Sequence, residues 1–298
     1  MKKIYLLVFI CLCICVIFSC QSIKNKEDSK LNVEVILSQP IDPVAGIEKP
    51  ETEKFEFTPK EWQKRKLLSS TDKNLFELYP DNDWNVSIEN DKIMVSKLVN
   101  RYNKFKFNVD GKKYFTSGNF VSENLGEFGG KIDFIGDDGI SYTVLKCSPI
   151  SMFSIDGDIY LIEGSNNRSM GIGNLYKIDV GYYKDENNVY VPKWKADKLI
   201  KLNGYPSGFC INNTDIYITI VLPNQGEDYV SEIVKISLKD SLNSIDKYME
   251  IKKLMTISNT SISGNSMVEK DDIVYIGLTY GLMTVNLNNK KIQLYTKK

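Results

Sequence analysis

Apolar residues divide the chain into four stretches. From Ile4 to Phe18, fifteen residues run without a charge. From Gln21 to Phe57, Lys, Glu, Asp and Ser dominate, with Pro40, Pro43 and Pro50 and little apolar periodicity. Such a composition buries too little apolar surface to offset the entropy of ordering. It predicts a flexible tether over residues 20–57, in which Val33 to Leu37 is the one part that could form a strand. Thr58-Pro59-Lys60-Glu61 then carries a helix start, with a capping Thr, Pro at the first helical position and Glu61 completing a capping box. A short helix to about Leu68 is expected, within a helical lead-in over 58–83. From Trp84 onward, short β-branched and aromatic runs alternate with Asn, Asp and Gly, which predicts an all-β domain over 84–298.

Within that domain the pattern repeats. Asp158-Ile159-Tyr160-Leu161, Asp215-Ile216-Tyr217-Ile218 and Asp272-Ile273-Val274-Tyr275-Ile276 place their tyrosines 57 and 58 residues apart. Another apolar strand lies seven positions before each tyrosine, at Phe153, Cys210 and Val268. A third strand follows at Leu175 to Ile178, Ile233 to Ile236 and Leu282 to Leu287. A fourth closes each unit at Lys198 to Leu202, Ile251 to Ile257 and Ile292 to Tyr295. Ile155-Asp156-Gly157-Asp158 and Ile211-Asn212-Asn213-Thr214 supply tight turns between the first two strands of their units. Asn90 to Val95 repeats the hairpin, and Gly111 to Cys147 fits a further unit. Four-stranded antiparallel units that repeat in this way predict a β-propeller of about five blades. A two-sheet sandwich has no reason to repeat near 57 residues.

The first stretch sets compartment. An apolar run of fifteen behind Lys2 and Lys3 matches a secretory signal and falls short of the roughly 20 residues that span a bilayer. Ile17-Phe18-Ser19-Cys20 resembles a bacterial lipobox, with Phe18 bulkier than usual. The resemblance implies a lipoprotein signal peptide over 1–19 and lipid attachment at Cys20. It also implies export to the periplasm or cell surface and anchoring without spanning. Removing 1–19 takes two lysines and no acid, leaving 36 basic against 38 acidic side chains and a formal charge of −2. That balance excludes the basic footprint of a nucleic-acid binder.

The chain has no histidine, which removes the usual general base, Ser-His and Cys-His nucleophile pairs, and the commonest metal ligand. Beyond the anchor only Cys147 and Cys210 remain, two repeat units apart, and they are expected as separate buried thiols. The acidic pairs Asp137-Asp138, Asp156/Asp158 and Asp271-Asp272 lack the EF-hand spacing and are assigned to turns. No metal, cofactor or catalytic group is therefore assigned. Two segments break the repeat. Glu127 stands beside Gly129-Gly130, and Glu163 ends a strand before a loop that holds Arg168, one of only three arginines. Glu127, Glu163 and Arg168 are the candidate ligand-binding residues.

Gly126 to Lys131 reads G-E-aromatic-G-G-K, Tyr160 to Gly164 reads Y-x-I-E-G, and Tyr275 to Gly277 reads Y-I-G. These stretches resemble a loosely defined group of bacterial propeller-like proteins, and the likeness covers roughly residues 84–298. It implies a fold and no activity. The expectation is a membrane-anchored envelope protein, without enzymatic activity, that binds a protein, peptide or glycan. The alternative is a glycan-active enzyme with Glu127 and Glu163 as acid and base at 5–9.5 Å, roughly the separation such pairs need.

Overall fold

Tight turns with left-handed backbone set the strand register. Asn90-Asp91 (φ 48° and 61°), Asp156-Gly157 (50° and 77°) and Asp271-Asp272 (54° and 59°) each carry positive φ at both turn residues. That is the two-residue hairpin geometry whose twist matches the flanking strands. The computed structural model describes residues 34–40, 54–65, 84–97, 104–110, 116–125, 129–167, 170–222, 230–238, 251–258, 264, 266–278 and 281–297. Strand accounts for 77% of these residues and none is helical. The protein is all-β.

Four short strands come first: β1 (Val35–Leu37), β2 (Gln39–Pro40), β3 (Lys54–Glu56) and β4 (Trp62–Arg65). The first sheet contains β5 (Trp84–Glu89) and β6 (Lys92–Lys97). The second contains β7 (Phe105–Val109), β8 (Gly118–Asn124), β9 (Gly130–Gly136) and β10 (Ser141–Lys146). In the third are β11 (Pro149–Ile155), β12 (Asp158–Asn167), β13 (Met170–Lys184) and β14 (Tyr190–Leu202). The fourth follows with β15 (Tyr205–Asn212), β16 (Asp215–Val221), β17 (Val230–Ser237) and β18 (Lys252–Ser258). The fifth ends the chain with β19 (Ser266–Lys270), β20 (Ile273–Leu278), β21 (Gly281–Asn286) and β22 (Ile292–Lys297). Sheets two to five are antiparallel meanders in chain order. Phe153 pairs with Tyr160, Cys210 with Tyr217 and Val268 with Tyr275, so the repeat read along the chain is a repeat of register.

The amino-terminal segment is where the structure departs from the sequence reading. Residues 34–40 and 54–57 are not a tether. β1 pairs with β11 on the third sheet, β2 with β7 on the second, β3 with β6 on the first, and β4 with β22 on the fifth. Averaging over residues 20–57 hid two short clusters, Val35-Ile36-Leu37 and Phe55/Phe57, whose partners are distant in sequence. Nor does a helix start at Thr58 run through the described residues. Thr58 to Glu61 is a turn closed by Glu61 N–H on the Thr58 carbonyl (2.9 Å), with Pro59 in its favoured second position. Trp62 then enters a strand, because burial of its ring at 3% exposure outweighs local helix propensity. Residues Glu34–Lys298 group into one compact unit, so the domain begins well before Trp84. The remainder of the expected lead-in, 66–83, and the segment 1–33 with Cys20 lie outside the described residues.

Consecutive sheets from the second to the fifth pack on one another, and the fifth packs on the first. This last contact joins the first sheet to the last. Its core holds Phe57, Trp62, Trp84, Val86, Val95, Leu282 and Tyr295. Trp62 and Trp84 meet edge to face at 5.2 Å, and Phe57 meets Tyr295 at 5.1 Å. Val86 N–H donates to Ser266 Oγ (2.6 Å), and Lys270 pairs with Asp91. The sheets approach so closely that a Cβ on Gly277 would lie 2.2 Å from the Trp84 carbonyl oxygen.

Candidate functional site

The sibling sheets serve as internal controls for what the fold requires. In the third sheet, Ile159 pairs with Ile178 at the far end of β12, yet β13 and β14 continue past it. Asp179–Lys184 and Tyr190–Lys195 pair only with each other, as a two-stranded ribbon. β17 and β18 span eight and seven residues, and β21 and β22 six each, without such an extension. Asp185 closes the tip: its Oδ1 accepts from Asn187 N–H (2.9 Å) and Val189 N–H (2.8 Å).

A free two-stranded ribbon is marginal in water, so its base must be held. Trp194, buried at 2% exposure, packs on Phe120 and Phe134 of the second sheet. Its backbone N–H donates to the Tyr142 hydroxyl (2.7 Å), and Lys193 Nζ sits 4.7 Å from the Tyr142 ring centre. Beyond this anchor the ribbon carries exposed Tyr182 (55%), Tyr183, Val189, Tyr190 (64%) and Val191. Strand alternation puts Tyr183 and Val191 on one face, Tyr182 and Tyr190 on the other.

Between the ribbon base and the second sheet lies a groove of about 360 Å³. Val191 and Pro192 form one wall, and Phe134, Ile140 and Tyr142 the other. Thr116, Ser117 and Asp138 supply two hydroxyls and a carboxylate. Asp138 is fixed by Ile140 N–H on its Oδ1 (3.0 Å). Burial pushes the Tyr142 phenol above its ordinary pKa, against the hydrogen bond from Trp194, so it stays neutral at physiological pH.

Of the sequence-assigned residues, Glu163 is described; Glu127 and Arg168 lie outside the described residues. Glu163 is half-buried on β12 and accepts from Asn174 Nδ2 (2.7 Å) and from the Tyr176 hydroxyl. The matching positions in the fourth and fifth sheets are Ile220 and Leu278 for Glu163, and Val234 and Met283 for Tyr176. The fold therefore accepts apolar residues where the third sheet has polar ones. Glu269 differs: it is buried, accepts from Asn212 Nδ2 and from Asp272 N–H (2.8 Å), and clasps the fourth sheet to the fifth.

Both described cysteines are free thiols; Cys210 is buried, whereas Cys147 is half-buried, short of the full burial expected. Desolvation, with a smaller contribution from Glu163, pushes Cys147 up to about 12, and desolvation with Glu269 raises Cys210 further. A thiol reagent at pH 8 should therefore leave both unmodified in the native protein and titrate both after denaturation. Rapid native labelling at either position contradicts this.

The ribbon was the part missed by sequence reading. Its signal was present: Tyr182-Tyr183 and Val189-Tyr190-Val191 flank the polar run Lys184 to Asn188, a hairpin pattern. Comparison with protein-family models, with curated proteins and with solved structures returned no match. The chemistry of the site therefore rests on its own residues.

Proposed function

We propose that the chain is an exported bacterial lipoprotein, anchored through Cys20, whose five sheets are propeller blades and whose groove binds a cell-envelope glycan. The propeller reading is supported by the meander order of the sheets and by the contact of the last with the first. The binding reading rests on one observation: an extension absent from two sibling sheets exposes tyrosines beside a groove with hydroxyls, a carboxylate and an aromatic wall. A sugar ring offers an apolar C–H face and a rim of hydroxyls. Tyr142 and Val191 match the first, and Thr116, Ser117 and Asp138 the second. The volume lies within the roughly 300–1,000 Å³ of small-ligand sites. Tyr183 and Val191, on the groove-side face, would continue the contact along a longer chain.

The test is an array of soluble bacterial polysaccharides and N-acetylglucosamine oligomers probed with residues 21–298, followed by calorimetry. Glycan binding is expected, reduced at least tenfold by Asp138→Asn and by Tyr183→Ser with Val191→Ser, at unchanged melting temperature. Failure to bind any glycan, or equal binding by these variants, overturns the reading. Selective capture of extended peptides in the same groove would do so too.

A further inference from the structure

We propose, resting on the glycan reading of the groove, that its ligand is a cationic sugar, a hexosamine whose amine is free and protonated, and that Asp138 selects it. Among the described residues that line the groove, Asp138 carries the only charge. It is exposed, so a group of sugar size can reach it. Asp137 stands next to it in the same turn and adds a second negative charge. Among the described residues no lysine or arginine forms a salt bridge with either.

The carboxylate is held ready for a donor. Gly139 N–H closes the turn on the Gly136 carbonyl (3.0 Å), with Gly139 in the left-handed region at φ 84°. Asp137 N–H donates to the Ser117 carbonyl (3.1 Å), which ties the turn to the segment that carries the groove hydroxyls. Ile140 N–H takes one acceptor site of Asp138 Oδ1, and a carboxylate has about four. Burial does most to raise the Tyr142 phenol, and Tyr183 and Asp138 then push it the same way, which brings the three side chains together at the ribbon base.

The aromatic wall favours the same sign of charge. A ring face attracts a cation through its quadrupole and offers an anion nothing. Tyr142 already shows this property, with Lys193 Nζ 4.7 Å from its ring centre. Lys193 opposes a cationic ligand, but it is exposed and stands outside the groove lining, where water and salt screen it. Thr116 and Ser117 both donate and accept, so they do not discriminate. A sugar hydroxyl gives Asp138 a neutral hydrogen bond, whereas an ammonium gives a charge-assisted one, about twice as strong. Acetylation removes that charge, and a uronic acid sets carboxylate against carboxylate. An exposed ion pair together with an exposed cation–π contact amounts to a preference of about tenfold.

Residues 21–298 should be titrated calorimetrically with matched tetramers of glucosamine, N-acetylglucosamine and galacturonic acid. The free-amine tetramer is expected to bind about tenfold more tightly than its acetylated counterpart, and the uronate more weakly than both. Asp138→Asn should bring the free and acetylated forms within about twofold of each other at unchanged melting temperature, because Asn keeps the oxygen that Ile140 N–H needs. Glu163→Gln, away from the groove, should leave the preference intact. If glycans bind through the groove but free and acetylated forms bind equally, or the preference survives Asp138→Asn, the charge assignment falls and the glycan reading stands. If no glycan binds, both fall. Equal binding of tetralysine assigns the groove to polycations at large and also overturns the proposal.

Discussion

A chain that begins at Trp84 will not reach the native state. Residues 34–65 supply a strand to each of four sheets, and Phe57 and Trp62 stand in the core where the fifth sheet meets the first. Removing a buried aromatic ring typically costs about 3–5 kcal/mol. Losing both, with the edge hydrogen bonds of four strands, approaches the whole stability of an ordinary domain, about 5–15 kcal/mol. The truncated chain is expected to lose its cooperative melt and its near-ultraviolet tryptophan signal. The single substitution Trp62→Ala should lower stability by about 3–5 kcal/mol in denaturant titration. A truncated protein that melts like residues 21–298 would mean that the amino-terminal strands only decorate a complete domain.

Gly277→Ala is expected to damage the contact between the first and fifth sheets. The new methyl would sit 2.2 Å from the Trp84 carbonyl oxygen and 2.9 Å from its carbon, both backbone atoms that cannot turn aside. Overpacking of this kind costs about 1–3 kcal/mol, and rigid backbone on the receiving side puts this position at the upper end. Gly208 is the control. Its Cβ would meet the Thr219 hydroxyl at 3.0 Å and the Gly264 backbone no nearer than 3.8 Å, so Gly208→Ala should cost less. Equal effects in parallel denaturant titrations would contradict the close approach of first and fifth sheets.

Local chemistry was legible in the sequence and distant pairing was not. Asn90-Asp91, Asp156-Gly157 and Asp271-Asp272 announce hairpins because left-handed backbone needs those residue types, and the tyrosine spacing announced the repeat because register follows it. The partners of β1 to β4 lie up to 235 residues away (Trp62 with Lys297), on sheet edges that no local pattern reveals. Thr58 to Glu61 shows the conflict directly: a sound helix start lost to the burial of one indole. Glu163 stood out because it ends a strand before a loop that holds Arg168, where the repeat breaks. Its hydrogen bond from Asn174 emerged only from the strand pairing. Tyr182, Tyr183 and Tyr190 received no assignment from the sequence pattern. They are exposed because β12 ends at the start of the ribbon, and that is a fact of topology.

The most direct test of the proposed activity is saturation-transfer NMR on residues 21–298 with the glycan selected by the array. Irradiation of the aromatic protons should transfer saturation to the C–H face of the sugar, and Tyr183→Ser with Val191→Ser should abolish the transfer while the melting temperature holds. Undiminished transfer in that variant would contradict the assignment of the groove as the binding site.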